Sequence, residues 1–260
     1  MLLRSILFTL LALNSFSYAE SITTLATPRG SHISYASIEK PDATANVILF
    51  TGGKGKLFLP DPMSPDQYWK GTKNFLIRTR FDLSKNNFNT FSIDAPFDHQ
   101  TKDGMYFGFR HSHDHVSDVD EVIKDIQEKY DLPTWIIGTS RGTESVANIA
   151  INSSQPLAGV IFTASMTNRN KKGWDLTDFS LRSIKIPSLF VHHENDACKV
   201  TRPDRIEGIS RKLTNSPSVK VVMVDGGMTK GNPCKPFSHH GFNGIENHVV
   251  EVISNFIRSH

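Results

Sequence analysis

A serine between two glycines stands where an apolar run gives way to a helical pattern. The stretch Trp135–Ser145 is WIIGTSRGTES, and Ser140 lies between Gly138 and Gly142. A sharp turn from a strand into a helix would hold this serine on a strained backbone, and glycines without a Cβ would let neighbouring elements pass close by. A hydroxyl presented in this way could attack a carbonyl carbon. A loop rich in glycine and serine is the alternative that this short pattern leaves open.

A serine nucleophile needs a base, and the base needs a carboxylate to orient it. In an open parallel sheet such groups are expected just past the carboxyl ends of the strands. Asp196 follows an apolar run at 188–192, and His240 follows the long loop after the last apolar run of the chain. The order Ser140, Asp196, His240 is therefore a candidate catalytic triad.

Neighbouring residues leave alternatives at two of these positions. His239 precedes His240, and we favour His240 because Gly241 after it lets the loop fold tightly toward the sheet edge. Glu194 is the alternative acid. Asp225, beside two glycines, is better explained by a turn.

Predicted strands and helices alternate through most of the chain. Strands are predicted at 21–26, 33–38, 47–50, 90–93, 135–138, 160–163, 188–192 and 219–224, and helices at 71–84, 113–130, around 146–150, 205–213 and 245–257. This alternation predicts an α/β fold with a mostly parallel central sheet flanked by helices on both faces, and an antiparallel edge formed by the first two strands. The roughly 25 residues between the sixth and seventh strands leave room for a short lid and not for a large cap domain.

With GTSRG around Ser140, HHENDAC around Asp196 and HHGF around His240, each after the appropriate strand, nearly the whole chain resembles the α/β-hydrolase family. It looks like a secreted, lidless branch of serine hydrolases. The resemblance implies that Ser140 attacks an acyl carbon, that His240 takes its proton and later protonates the leaving group, and that Asp196 holds the imidazole.

The resemblance also implies an oxyanion hole built from two backbone N–H groups. One is expected from Arg141, directly after the nucleophile, and the other from the TGGKG loop, where we choose Gly53. This loop begins with Thr51-Gly52, where the family commonly has His-Gly.

The N-terminus has the pattern of a secretory signal peptide. An early basic residue precedes an apolar run at 5–13, and small residues at Ser17 and Ala19 suit a cleavage site. The pattern predicts a signal peptide at 1–19, a hydrolase domain at 20–260, and export to the periplasm or the medium. An uncleaved anchor is the alternative.

The predicted export affects the interpretation of the two cysteines, Cys198 and Cys234. An even pair in an oxidising compartment predicts a disulfide. The bridge would close a loop of about 37 residues and contribute about 4 kcal/mol in the chain-entropy model. It would also tie the loop of Asp196 to the loop of His240.

Composition excludes some classes of partner. The formal charge of +3 is not clustered, which argues against nucleic acid. The body of the chain has no apolar stretch of about 18 residues, so no membrane span is expected after signal cleavage. The expected partner is a small-molecule acyl substrate, and no cofactor is expected. The oligomeric state stays open.

A set of histidines could instead bind zinc or copper: His99, His111, His113 and His115. They lie at a helix entry, where only His111 and His115 share a face, so we favour polar residues that line the mouth of a cleft and expect no metal. Three other residues are candidate substrate contacts: Asp98, Arg110 and Trp174.

These observations favour an exported serine hydrolase that cleaves an ester or similar acyl substrate through an acyl-enzyme. A peptidase on the same triad is an alternative, because such a triad cleaves amides as well as esters. A catalytically silent hydrolase fold used for binding is a third hypothesis. The complete set of Ser140, Asp196 and His240 argues against it.

Overall fold

The computed structural model describes residues 20–59, 69 and 71–260, and they form one eight-stranded sheet with helices on both faces. The predicted signal peptide at 1–19 lies outside the described residues. The strands are β1 (Ser21–Ala26), β2 (His32–Ile38), β3 (Ala45–Phe50), β4 (Phe88–Ile93), β5 (Thr134–Thr139), β6 (Gly159–Thr163), β7 (Ser188–His193) and β8 (Val219–Val224). The helices are α1 (Phe75–Arg78), α2 (Arg80–Ser84), α3 (His113–Tyr130), α4 (Gly142–Asn152), α5 (Ile206–Ser210) and α6 (Glu246–Arg258).

The strand order is β1-β2-β4-β3-β5-β6-β7-β8. Strands β3 to β8 pair in parallel, whereas β1 and β2 run antiparallel at one edge. This arrangement confirms the predicted fold class and the predicted antiparallel edge. It also places the carboxyl ends of β3, β5 and β7 along one side of the sheet, where the candidate residues follow.

Residues 47–50 of strand β3 are all apolar, and the packing on the two faces of the sheet explains why. Ile48 and Phe50 pack into the core that α3, α4 and α5 cover, while Val47 and Leu49 pack into the core on the opposite face, under α1, α2 and α6. Side chains alternate between the faces of a strand, and both faces are covered here, so each of these four side chains contacts one of the two cores.

The helix predicted at 71–84 is two short helices instead. Asn74 caps α1 by accepting a hydrogen bond from the N–H of Leu76. Thr79 separates α1 from α2, and its hydroxyl donates to the carbonyl of Phe75. Such bonding of a threonine hydroxyl to the preceding turn competes with regular helix geometry.

Residues 164–187, between β6 and β7, contain two 3-10 turns and no cap domain. The carboxyl edge of the sheet is therefore not covered by an inserted domain within the described ranges. None of the helices in the described part of the chain has the length and apolar character needed to cross a bilayer.

Candidate active site

Ser140 follows β5 directly and has a φ of 53°, in the left-handed region. A residue other than glycine pays strain energy there, and such strain concentrates at functional sites. Two backbone hydrogen bonds hold this conformation: the N–H of Ser140 donates to Thr163 O over 3.0 Å, and the carbonyl of Ser140 accepts from the N–H of Thr143 over 2.9 Å. The turn confirms the predicted strained connection between strand and helix.

The flanking glycines are needed for close packing of the backbone. A Cβ on Gly138 would lie 2.4 Å from the carbonyl oxygen of Gly142. A Cβ on Gly142 would lie 2.0 Å from the carbonyl oxygen of Phe50, at the end of β3. Neither position can accept a side chain without moving backbone, which confirms the predicted reason for both glycines.

Asp196 and His240 meet at the carboxyl edge of the sheet. His240 Nδ1 lies 2.9 Å from Asp196 Oδ2, and both side chains are buried. The other carboxylate oxygen, Oδ1, accepts the N–H of Cys198 over 2.9 Å. With Asp196 ionised, His240 donates through Nδ1 and keeps Nε2 available to accept a proton.

Two further side chains complete the surroundings of Asp196. The hydroxyl of Thr201 donates to Asp196 Oδ2 over 2.8 Å and lies 3.1 Å from His240 Nδ1. His192 Nε2 lies 2.8 Å from Thr201 O and 3.5 Å from Asp196 Oδ2, while its Nδ1 accepts the N–H of Ser165. These contacts assign His192 as the neutral tautomer with its proton on Nε2.

The pKa of Asp196 reflects these contacts. Burial by itself would raise it, but hydrogen bonds from His192 and His240, the interaction with the His240 ring, and the N–H of Cys198 together hold the pKa below its usual value. The carboxylate therefore stays ionised at neutral pH, as an orienting partner of an imidazole must.

The alternative residues lie apart from this pair. The ring of His239 stacks on His193 with centroids 4.3 Å apart, and its Nδ1 lies 3.2 Å from Asn195 O. Glu194 is exposed. The geometry thus joins Asp196 to His240 and joins neither His239 nor Glu194 to this site.

A cavity of about 200 Å³ connects the candidate nucleophile and base. Ser140 and His240 both line it, together with Gly52, Gly53 and Phe75. No hydrogen bond joins Ser140 Oγ to His240 within the described residues. Hydrogen bonds between catalytic groups are often long without substrate and shorten when it binds.

The loop after β3 lies directly against Ser140. A Cβ on Gly52 would lie 2.8 Å from Ser140 Cβ, so Gly52 permits the contact. The carbonyl of Gly52 accepts the N–H of Gly55. The backbone N–H groups of Gly53 and of Arg141, which precedes α4, donate to no other residue in the described part of the chain.

The disulfide between Cys198 and Cys234 is present, with Cα atoms 4.7 Å apart, as predicted. Cys198 is buried beside Asp196. Cys234 is exposed and lines the cavity that contains Ser140 and His240. The bridge therefore joins the segment after β7 to the segment that carries His240.

The histidine cluster does not line this cavity. His99 stacks on Phe109, and His111 stacks on Trp174. His115 is buried, and neither of its ring nitrogens has a hydrogen-bond partner among the described residues, so the prediction that it lies at the mouth of a cleft is wrong. Helix α3 starts at His113 and turns His115 inward, toward the core. Across the described ranges, no group of three or more histidine, cysteine or acidic residues is arranged to hold a metal ion.

The predicted substrate contacts also lie elsewhere. Asp98 pairs with Arg29 over 2.9 Å. Trp174 packs against His111 and Arg169. Arg110 is buried under the loop after β3 rather than exposed in the cavity, because its guanidinium binds backbone carbonyls there.

Comparisons with known proteins place the fold. No protein-family model matches the chain, and no curated protein matches its sequence. Solved structures do match. An esterase of Pyrococcus furiosus is 12% identical, with a TM-score of 0.66 over 94% of this chain and 93% of the other.

Two other structural neighbours have similar scores. A serine hydrolase without a lid from Xanthomonas campestris is 14% identical, with a TM-score of 0.61 over 94% of this chain and 96% of the other. A soluble variant of the monoglyceride lipase of Saccharomyces cerevisiae is 13% identical, with a TM-score of 0.64 over 93% of this chain and 95% of the other. The chain therefore has the α/β-hydrolase fold without a large cap domain.

Proposed function

We propose that this chain is an exported serine hydrolase that cleaves an ester or similar small acyl substrate through an acyl-enzyme on Ser140. The observation that carries the proposal is the strained Ser140, which shares a cavity with His240 while His240 is hydrogen-bonded to the buried Asp196. Structural neighbours that are esterases and lipases support the same class of reaction.

In the proposed reaction, Ser140 Oγ attacks the acyl carbon and His240 Nε2 takes its proton. Asp196 stabilises the imidazolium that forms, because its ionised carboxylate accepts from His240 Nδ1. The same imidazole then protonates the leaving group. Water repeats the sequence on the acyl-enzyme and releases the acid.

The negative charge on the acyl oxygen requires donors that are already oriented. We assign this role to the N–H groups of Gly53 and Arg141, which come from the loop after β3 and from the start of α4. Both groups are available, since neither donates to another described residue. The cavity of about 200 Å³ is below the usual size of ligand pockets, which favours a small acyl group.

We also propose export, with residues 1–19 as a cleaved signal peptide and 20–260 as the mature domain. The disulfide supports this proposal, since such bridges persist in oxidising compartments. Mass spectrometry of the protein from the producing cells would test it. A mature N-terminus at Glu20 is expected, and a chain that retains Met1 inside the cell would contradict export.

Labelling with a fluorophosphonate probe tests the nucleophile. The wild type should react and should hydrolyse activated esters, and Ser140→Ala should do neither while it keeps its fold. Ser165→Ala is a matched control, because the hydroxyl of Ser165 is buried and has no hydrogen-bond partner in the described part of the chain. It should label like the wild type. Labelling that persists in Ser140→Ala would overturn the assignment. A panel of esters with different acyl chain lengths would define the substrate preference of the wild type.

A further inference from the structure

Arg110 is a buried arginine without an ion pair. The residue is 1% exposed, and in the part of the chain that the structure describes it forms no ion pair, since the nearby Glu144 pairs with Arg141. Nη1 donates to Ser145 Oγ over 2.5 Å, and Nη2 donates to Thr51 O over 2.9 Å and more weakly to Gly53 O over 3.5 Å. Its Nε has no hydrogen-bond partner among the residues that the structure describes.

A buried charge of this kind opposes folding unless other interactions compensate. Burial lowers the pKa of Arg110 to about 10, and the nearby Glu144 opposes that shift, so the guanidinium is still protonated at neutral pH. Replacement of buried charged groups by well-packed apolar side chains is often neutral or stabilising, so burial of a charge is weak evidence that it serves stability. The contacts of Arg110 must therefore be explained by what they hold in place.

Those contacts connect two elements that flank Ser140. The carbonyl of Arg110 accepts from Asn148 Nδ2 over 3.1 Å, and its guanidinium binds Ser145, so the residue is attached to α4 at both ends. The guanidinium also holds the loop after β3 through Thr51 and Gly53. These are the two elements that carry the proposed oxyanion donors.

The same contacts orient the loop. Arg110 binds the carbonyls of Thr51 and Gly53, on either side of the peptide between Gly52 and Gly53. In that peptide the carbonyl accepts from Gly55, and the N–H of Gly53 points the opposite way, because the peptide is trans. Fixing the flanking carbonyls thus fixes the direction of the Gly53 N–H.

We infer that Arg110 is a positioning residue that sets the separation and direction of the Gly53 and Arg141 N–H groups, and thereby the stabilisation of the oxyanion. The inference rests on the proposed hydrolase function. It does not make Arg110 a contact of the substrate, since its guanidinium lies beneath the loop. The expected signature is a loss in kcat with little change in KM.

Arg110→Met tests the inference, because methionine fills a similar volume and leaves both carbonyls without a donor. Hydrolysis of p-nitrophenyl acetate should show kcat lowered by about 10- to 100-fold, since removal of an oxyanion donor costs about 100- to 1,000-fold and displacement should cost less. KM should change by less than about threefold. Affinity for a trifluoromethyl ketone, which forms an oxyanion on the serine, should fall in parallel with kcat.

Arg29→Met is the matched control. Arg29 is a partly buried arginine that binds Asp118 and Asp98. Its guanidinium lies over the ring of Phe109, and within the described residues it forms no ion pair with the loop after β3 or with α4. Its loss should therefore lower Tm and leave kcat of the folded protein unchanged. Arg110→Lys keeps the positive charge but cannot form the bidentate contacts of a guanidinium, and it should lose less activity than Arg110→Met. It decides the case if the methionine variant does not fold.

Three results would overturn the inference. The first is a folded Arg110→Met with kcat within about threefold of the wild type, and the second is a change confined to KM. The third is activity that falls only in proportion to the unfolded fraction, which would make Arg110 purely structural. Failure of the hydrolase proposal is a separate outcome, because the wild type and Ser140→Ala would then show the same background rate.

Discussion

The two sides of Ser140 are held together by different means. On the base side, defined by Asp196, Thr201 and His240, hydrogen bonds join side chains that a disulfide keeps close. On the oxyanion side, defined by Gly52, Gly53 and Arg110, glycines allow close contact with Ser140, and one buried guanidinium binds the backbone. The base side has a covalent link, and the oxyanion side has none.

The lengths of the connecting segments account for this difference. The loop on the oxyanion side follows the central strand β3 directly, so the position of β3 places Gly52 against Ser140. His240 lies beyond the last strand, after residues 225–238, which contain no helix or strand. A long irregular segment needs a link to hold its end in place, because its conformational entropy favours many other positions.

The largest loss of kcat is expected from a substitution on the base side. His240→Ala should lower kcat by about three orders of magnitude or more, because it removes the group that we propose accepts and returns the proton. His239→Ala is the matched control and should cost far less, since that ring stacks on His193 away from Asp196. Steady-state kinetics on an activated ester measure both. A larger loss in the His239 variant would assign the base to His239.

An intermediate effect tests the covalent link. A double variant, Cys198→Ser with Cys234→Ser, should lose about 3–4 kcal/mol of stability in the chain-entropy model. It should also lose kcat at temperatures where it is still folded, because the segments of Asp196 and His240 can then move apart. Melting curves and kinetics below Tm separate the two losses.

The same prediction has a direct chemical check. The wild type isolated without reductant should contain no thiols that react with an alkylating agent. Full kcat in the double variant would show that hydrogen bonds alone align the base side. The two sides of Ser140 would then not differ in the way that the bridge indicates.

The smallest expected effect concerns stability next to the oxyanion side, where His115 lies close to Phe50 and Arg110. His115 packs against Phe50, and its ring nitrogens have no hydrogen-bond partner within the described ranges. Burial together with Arg110, His99 and Arg29 holds its pKa well below the ordinary value. In the unfolded chain it takes up a proton as the pH falls through about 6.5, whereas in the folded chain it does not. Acidification through this range should therefore destabilise the protein.

His115→Phe should weaken that pH dependence and leave kcat at neutral pH nearly unchanged. Urea unfolding at pH 7.5 and pH 5.5 measures the difference. The slope of the unfolding free energy against pH should shrink in the variant rather than vanish, because burial also lowers the pKa of His111 and His193. An unchanged slope in the variant would show that His115 is protonated in the folded state.

Much of the fold could be predicted because the spacing of apolar residues in the sequence matches the buried faces of the strands and helices. Each of the eight predicted strands exists, and the predicted helix at 113–130 has the bounds of α3. The prediction for 71–84 was wrong where Thr79 divides the helix, since apolar spacing continues across a hydroxyl that bonds to its own backbone. The pairing of the cysteines was predictable from their number and the signal-like N-terminus.

The sequence by itself determined the order of the strands along the chain, the strained turn at Ser140 and the candidates for base and acid. These features depend on local backbone preferences and on apolar periodicity, which are readable within a few residues. Only the tertiary structure decided that Thr201 and His192 surround Asp196 and that Arg110 links α4 to the loop after β3. Arg110 and Gly53 are 57 residues apart, and no local pattern encodes their contact. Such polar contacts form only once the sheet has brought distant segments together and burial leaves each donor in need of an acceptor.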